Sequence, residues 1–105
     1  MREKLVRDRI PEIIGSKGAQ PTVRIASEDE LDLLMRTKIV EEAEELLSSS
    51  DTEEIVDLLE VIDALIQLRS LSSTELGQLR AEKNRARGSF KRGYVLLLDD
   101  SEHRI

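Results

Sequence analysis

The side chains that could support chemistry through their type and spacing are carboxylates on two helices that are predicted to be neighbours. Acidic residues recur three positions apart at Glu42 and Glu45, and again at Glu54 and Asp57. Residues three apart lie on one face of a helix, so each pair is predicted to share a face. On a helical wheel of ~100° per residue, both pairs fall inside or at the edge of the apolar arc of their helix. These acids are therefore expected to point toward the core.

The two carboxylate pairs are predicted to face each other. A short polar link joins the two helices, and its turn brings residues 42–45 level with roughly residues 55–58. Four facing carboxylates withdrawn from water cannot all stay ionised without cations. Oxygen-only ligands select a hard cation, so we expect Mg²⁺, with Mn²⁺ as the other candidate. The alternative is that some of these acids pair with Lys38, Arg36 or Arg69, or lie in water at a helix margin.

Composition excludes several other chemistries. The 105 residues include 22 acidic and 16 basic side chains, which give a formal net charge of −6, and there is one His and no Cys. Disulfide frameworks, thiolate nucleophiles and zinc fingers are excluded. A Ser-His-Asp triad would have to use His103, close to the C-terminus. The acidic balance disfavours nucleic-acid polymers, and no apolar run approaches the ~20 residues that cross a bilayer. We expect a soluble cytoplasmic protein that binds no membrane.

The charges are unevenly distributed along the chain. Residues 28–63 contain fourteen acidic and two basic side chains, whereas residues 1–25 contain six basic and three acidic ones, and residues 64–105 eight basic and five acidic ones. Mg²⁺ is commonly shared with substrate phosphates, so an acidic centre between basic ends suggests phosphoryl chemistry on a nucleotide. The alternative is an ordinary solvated acidic face.

The phosphates must be held by Lys and Arg side chains, because neither a Walker A sequence nor GxGxxG is present. The candidates are Lys4, Arg7, Arg9, Lys83 and Arg87, with Arg85, Lys91 and Arg92 nearby in sequence. Glu41 is next in sequence to Glu42, one of the predicted metal ligands. It is a candidate to orient the attacking water or take its proton.

Helix-start signals predict the elements that position these residues. Capping boxes at Ser27, Asp51 and Ser72 precede helices expected near residues 28–48, 53–70 and 73–87. Pro11 suits the first turn of a further short helix. Two short strands are expected at Thr22–Ile25 and Tyr94–Leu98, paired with each other or with a second subunit. The prediction is one all-α domain over residues 1–105, a helical bundle built on an antiparallel hairpin.

Several segments of the sequence resemble the motifs of one known family. Lys4–Glu12, KLVRDRIPE, resembles the KLVRDKIPE start of MazG-like nucleoside triphosphate pyrophosphohydrolases, in a small subgroup predicted to clear non-canonical nucleotides. Glu41–Glu45 resembles the EExxE motif of that all-α superfamily, and Glu54–Asp57 its ExxD motif. Lys83 with Arg87–Phe90 resembles the closing K…RGxF stretch. The resemblance covers nearly the whole chain.

The resemblance implies Mg²⁺-dependent hydrolysis between the α and β phosphates, giving a nucleoside monophosphate and pyrophosphate. It also implies a homodimer or homotetramer in which helices of two subunits complete each site. The linker before Glu54 is shorter than usual in the superfamily, and Glu60–Asp63 also fits ExxD with a more typical spacing. A phosphoribosyl-ATP pyrophosphohydrolase-like enzyme and a non-enzymatic acidic helical module are the alternative functions.

Overall fold

The computed structural model describes residues 2–98, and this part of the chain is all-helical. Its four α-helices are α1 (Ile10–Ser16), α2 (Glu28–Ser49), α3 (Thr52–Leu68) and α4 (Ser73–Arg87). The all-α prediction is confirmed, and the bounds of the helices lie close to the predicted ones. His103, the candidate triad residue, lies outside the described residues.

The two predicted strands are not confirmed. Thr22–Ile25 and Tyr94–Leu98 are irregular, and the region from residue 2 to residue 98 contains no strand. A strand exists through the hydrogen bonds to its neighbour. No backbone hydrogen bond within the described range involves either segment, so their β-favouring side chains alone do not produce a strand in the single chain.

Local capping explains where α2 begins and why it turns into α3. The backbone N–H of Ser27 donates to Glu30 Oε2 at 2.9 Å, which is the expected half of a capping box. At the other end, Ser50 adopts the left-handed conformation with φ 54° and its N–H bonds to the carbonyl of Leu46. Asp51 then caps α3 by accepting a hydrogen bond from the N–H of Glu53 at 3.3 Å. The two helices therefore follow each other as a tight antiparallel hairpin.

An ion pair at the open end of the hairpin joins α2 to the residue that follows α3. Arg69, which follows α3, donates from Nε and Nη2 to the two carboxylate oxygens of Asp32 in α2, at 2.7 and 3.0 Å. Arg36 donates to the same carboxylate at 2.8 Å. A two-pronged guanidinium–carboxylate contact constrains geometry as well as adding energy. It fixes the register of α2 against α3, and with it the level at which their carboxylates meet.

The aliphatic contact between α2 and α3 is incomplete within one chain. No apolar side chain in the described part of the protein is buried. The residues that the hairpin half-buries are Leu31, Leu34, Met35, Ile39 and Leu46 of α2, and Leu58, Val61, Leu65, Ile66 and Leu68 of α3. The outer side of α3 still exposes Val56 and Leu59, at 56% and 61%. A helix that is apolar over so much of its circumference is expected to pack against more than one neighbour.

The chain divides after Leu71 into two compact units. The first contains α1, α2 and α3, and the second contains α4. Ser72 caps α4 by accepting a hydrogen bond from the N–H of Glu75 at 3.2 Å, and the helix ends at Gly88, whose φ is 82°. The single domain over residues 1–105 stays a prediction. None of the helices between residues 2 and 98 has the length and apolar character needed to span a bilayer.

Candidate metal centre

Three carboxylates from the two hairpin helices meet at one point. Glu42 of α2 and Glu54 and Asp57 of α3 each have a carboxylate oxygen within 4.8 Å of the others. Glu54 and Asp57 share a face of α3 because they are three residues apart. The antiparallel turn places that face opposite Glu42, as the sequence predicts.

Glu42 and one carboxylate oxygen of Glu54 are more deeply buried than is usual for acidic side chains. Glu42 is 6% exposed, which makes it the most buried residue in the described range. Glu42 Oε2 and Glu54 Oε2 are buried without a hydrogen-bond partner. Glu41 Oε2 also lacks a hydrogen bond, but Lys38 Nζ lies 3.4 Å from it. A buried carboxylate oxygen that lacks a partner is costly, and such atoms in a folded protein call for an explanation such as an ion.

The donor set fits a hard divalent cation. Three oxygens within 4.8 Å are close to what such an ion gathers, since Mg²⁺ bonds of about 2 Å separate opposite ligands by about 4 Å. The unpartnered oxygens of Glu42 and Glu54 are the atoms that a cation would satisfy. The cluster of Glu42, Glu54 and Asp57, called the acidic cluster below, can therefore hold a metal ion.

Two basic side chains already neutralise part of the acidic cluster. Lys38 Nζ lies 3.3 Å from Glu42 Oε1 and 3.4 Å from Glu41 Oε2. Arg7 Nη2 donates to Asp57 Oδ1 at 2.7 Å. The alternative prediction, that acids pair with basic neighbours, thus holds for one oxygen of Glu42. Arg36 and Arg69, the other two predicted neighbours, bind Asp32 instead.

Glu54 differs from Glu42 and Asp57, the other two residues of the acidic cluster, because none of the ion pairs among residues 2–98 includes it. Burial raises the pKa of Glu54 above its ordinary value, and so do hydrogen bonding to Glu45 and the charges of Glu45, Glu42 and Asp57. Desolvation and like charges both oppose ionisation. A cation bound here would relieve both effects.

Glu41 and Glu45 face a cleft beside the acidic cluster. The cleft has a volume of about 220 Å³ and lies between the N-terminal segment and the second half of α2; its lining residues are Arg2, Lys4, Glu41, Glu44, Glu45 and Ser48. Glu45 was predicted as a metal ligand, but its side chain is exposed and is not one of the three that converge. It adjoins Glu54 from the side of the cleft.

The predicted phosphate-binding residues lie in different places. Lys4 lines the cleft, and Arg7 contacts Asp57. Arg9 forms a local pair with Glu12 at 2.8 Å and is largely exposed. Lys83 and Arg87 are exposed residues of α4 in the second unit. Lys4 and Arg7 are therefore the two candidates within the first unit that lie beside the carboxylates.

The second ExxD match lies apart from the acidic cluster. Glu60 is exposed, and Asp63 is exposed and accepts a hydrogen bond from Gln67 Nε2 at 2.7 Å. Both residues lie nearer the open end of the hairpin than Glu54 and Asp57. The helical wheel agrees with this separation, because Glu54 falls within the apolar arc of α3 and Glu60 on its polar side.

Sequence reasoning missed two contributions to this region. Arg2 lines the cleft although no motif marks it. Arg24 forms ion pairs with Glu3 and Glu30. Such contacts depend on tertiary placement, and the sequence pattern carries no signal for them. The position of Lys38, three and four residues before Glu41 and Glu42, did carry one.

Comparison with known proteins identifies no relative. No protein-family model matches the chain, and neither a curated protein nor a solved structure matches it.

Proposed function

We propose that this chain is a Mg²⁺-dependent nucleoside triphosphate pyrophosphohydrolase of the MazG-like kind, acting in the cytoplasm. It would hydrolyse a nucleoside triphosphate, such as a non-canonical one, between the α and β phosphates. The observation that carries the proposal is the acidic cluster, in which the buried oxygens of Glu42 and Glu54 lack partners. The N-terminal KLVRDRIPE sequence supports the same function by resemblance.

Glu42, Glu54 and Asp57 would hold the metal ion, and Glu45 is the fourth candidate ligand because it adjoins Glu54. When bound, Mg²⁺ supplies charge shielding for the phosphates and lowers the pKa of a coordinated water. Lys38 keeps the Glu42 carboxylate in place through its contact with Oε1 at 3.3 Å. This leaves Oε2 of Glu42 for a ligand.

Glu41 is the candidate to orient the attacking water and accept its proton. Its carboxylate lines the cleft and is 25% exposed, so it can be reached by water and substrate. In the proposed reaction the water oxygen bonds to one phosphorus, its proton passes to Glu41, and the bridging oxygen leaves with the other phosphate group. Nucleoside triphosphate and water thereby give nucleoside monophosphate and pyrophosphate.

Lys4 and Arg7 would bind the phosphate chain, because Lys4 lines the cleft and Arg7 contacts Asp57 of the acidic cluster. Arg9, Lys83 and Arg87 remain further candidates for this role. A phosphate group offers several charged acceptors, and charge-assisted hydrogen bonds from Lys and Arg are the strong ones. These side chains would orient the triphosphate while Glu41 acts on the water.

We also propose that the working form is a homodimer or homotetramer. The uncovered aliphatic residues of α3 support this, because the single chain leaves Val56 and Leu59 more than half exposed. Exposed apolar patches of this kind mark interaction surfaces. The proposal is that a second copy covers them.

The decisive experiment measures pyrophosphate release from a panel of canonical and damaged nucleoside triphosphates and phosphoribosyl-ATP, with and without Mg²⁺. Glu42→Gln is the test variant, and Glu53→Gln, an exposed acid on α3, is its matched control. The proposal expects Mg²⁺-dependent release that Glu42→Gln abolishes and Glu53→Gln preserves. Release from phosphoribosyl-ATP alone would favour the related pyrophosphohydrolase.

Two outcomes would contradict the proposal. One is the absence of pyrophosphate release from every substrate. The other is full activity of Glu42→Gln. If, in addition, neither Mg²⁺ nor a nucleotide analogue shifts the melting temperature, the chain is a non-enzymatic helical module.

A further inference from the structure

The N-terminal segment, residues 2–7, carries two of the proposed phosphate-binding side chains but has no regular structure. Its only backbone hydrogen bond outside helices, within the described part of the chain, is the one that the Arg7 carbonyl accepts from Ile10. Lys4 nevertheless lines the cleft and Arg7 reaches Asp57. Side-chain contacts must therefore hold the segment against the hairpin.

Arg24 supplies the contacts at one end of the segment. It donates from Nε to Glu3 Oε2 at 2.6 Å and from Nη2 to Glu3 Oε1 at 3.4 Å. It also donates from Nη1 and Nη2 to the two oxygens of Glu30, at 2.9 and 2.8 Å. The guanidinium of Arg24 thus binds two carboxylates, and it donates to each of them from two of its nitrogens. Glu30 is itself fixed by the N–H of Ser27, at the start of α2.

The charges at this junction are mutually stabilising. Hydrogen bonding to Arg24 lowers the pKa of Glu30 to about 2 and also lowers the pKa of Glu3. Isolated surface ion pairs contribute little, but two-pronged guanidinium contacts that form a network are the recognised exception. Arg24 thereby joins a segment that lacks backbone pairing to the first turn of α2.

We infer that Arg24 is a positioning residue for the proposed activity, because it holds Glu3 and so keeps the adjacent Lys4 in the cleft. This inference rests on the proposed function for the role of Lys4. Arg24 itself need not touch the substrate. At the other end of the segment, Arg7 and Asp57 form the second point of attachment.

The test compares Arg24→Gln, Glu3→Gln and their double variant with Arg36→Gln, which breaks an exposed arginine pair elsewhere on α2. The readouts are kcat and KM with the preferred nucleotide, binding of inorganic tripolyphosphate in the presence of Mg²⁺, and the rate of tryptic cleavage after Lys4. Arg24→Gln and Glu3→Gln should each raise KM and the tripolyphosphate Kd by about tenfold, as expected for loss of a charge-assisted contact. Both should leave kcat unchanged and accelerate cleavage after Lys4. The double variant should be no worse than either single one.

Several results would overturn the inference. If Glu3→Gln has no effect while Arg24→Gln raises KM, Arg24 acts through Glu30 and the α2 cap, not through the segment. If Arg36→Gln raises KM as much, the effect is general destabilisation. If the wild-type protein neither hydrolyses nucleotides nor binds tripolyphosphate, the proposed function fails, and with it the role toward phosphate. Cleavage after Lys4 would then still show whether Arg24 holds the segment.

Discussion

Arg7 and Asp57 are fifty residues apart in the sequence, yet Arg7 Nη2 donates to Asp57 Oδ1 at 2.7 Å. The sequence predicts that Arg7 binds phosphate and that Asp57 binds metal. Their contact brings the N-terminal motif and the ExxD motif to one place on the hairpin. Both side chains are still partly open to solvent, at 52% and 40% exposed. A ligand can therefore reach the pair from the side of the solvent.

Replacing Arg7 should weaken substrate binding without weakening metal binding. Arg7→Gln removes a proposed phosphate ligand, so KM for the nucleotide should rise about tenfold, the loss expected for one hydrogen bond to a charged group. The Mn²⁺ Kd should stay the same or fall, because Asp57 loses a competing cation. Steady-state kinetics and calorimetric Mn²⁺ titration measure the two quantities. With Arg36→Gln as the control, a rise in the Mn²⁺ Kd specific to Arg7→Gln would show that Arg7 supports the metal site instead.

Glu54 should make the metal-free protein less stable as the pH rises. Its pKa in the folded state is raised above the ordinary value of 4.5, so the folded state binds this proton more tightly than the unfolded chain does. By linkage, the contribution of Glu54 to stability is fully present below pH 4.5 and is lost as the pH rises through the raised pKa. Glu54→Gln removes this loss. Without metal, the variant should melt a few degrees above the wild type at pH 8, and the gap should close in acid.

Calorimetric melting across this pH range, with and without Mg²⁺, measures the effect. Added Mg²⁺ should raise the melting temperature of the wild type and not that of Glu54→Gln, because binding to the folded state stabilises it. Glu53→Gln should behave like the wild type in both conditions. A Glu54→Gln variant that melts below the wild type at pH 8 without metal would contradict the raised pKa.

Glu41 should affect the rate of the reaction and leave metal binding intact. Its carboxylate lies beside the acidic cluster and lines the cleft. Glu41→Gln keeps the size of the side chain but removes the base, and general-base catalysis typically contributes about 10²–10⁴-fold. We therefore expect kcat to fall within that range while the Mn²⁺ Kd changes little. If Glu41→Gln abolishes Mn²⁺ binding, Glu41 is a metal ligand and another group must accept the proton.

The hairpin and its acidic cluster can be predicted from the sequence because both depend on interactions between residues that are close in sequence or on directly connected helices. Ser27, Asp51 and Ser72 mark helix starts through hydrogen bonds with the next turn. The three-residue spacing of Glu54 and Asp57 sets a shared face, and the short link sets the level of Glu42. These are contacts between near neighbours or between two helices joined directly.

The features that the sequence did not predict depend on distant contacts. Arg24 reaches Glu3 across 21 residues and Arg7 reaches Asp57 across 50, and no periodic pattern specifies either. The two expected strands are the reverse case, because the sequence predicts them and the described part of the chain does not form them. Thr22–Ile25 and Tyr94–Leu98 have suitable side chains, but strand formation depends on a partner that β propensity does not specify.

The apolar face of α3 provides the last prediction. Val56 and Leu59 are 56% and 61% exposed, and burying a leucine contributes about 1.5–3 kcal/mol relative to leaving it in water. In a two-fold dimer the same residue is buried in both subunits, so its burial contributes twice to the free energy of association. Light scattering should therefore give the wild type a mass of two or four times 11.9 kDa, whereas Leu59→Glu should be monomeric and Leu59→Met should associate like the wild type. If helices of two subunits complete each site, Leu59→Glu should also lose activity. A monomeric wild type, or an associated Leu59→Glu, would show that this face does not join subunits.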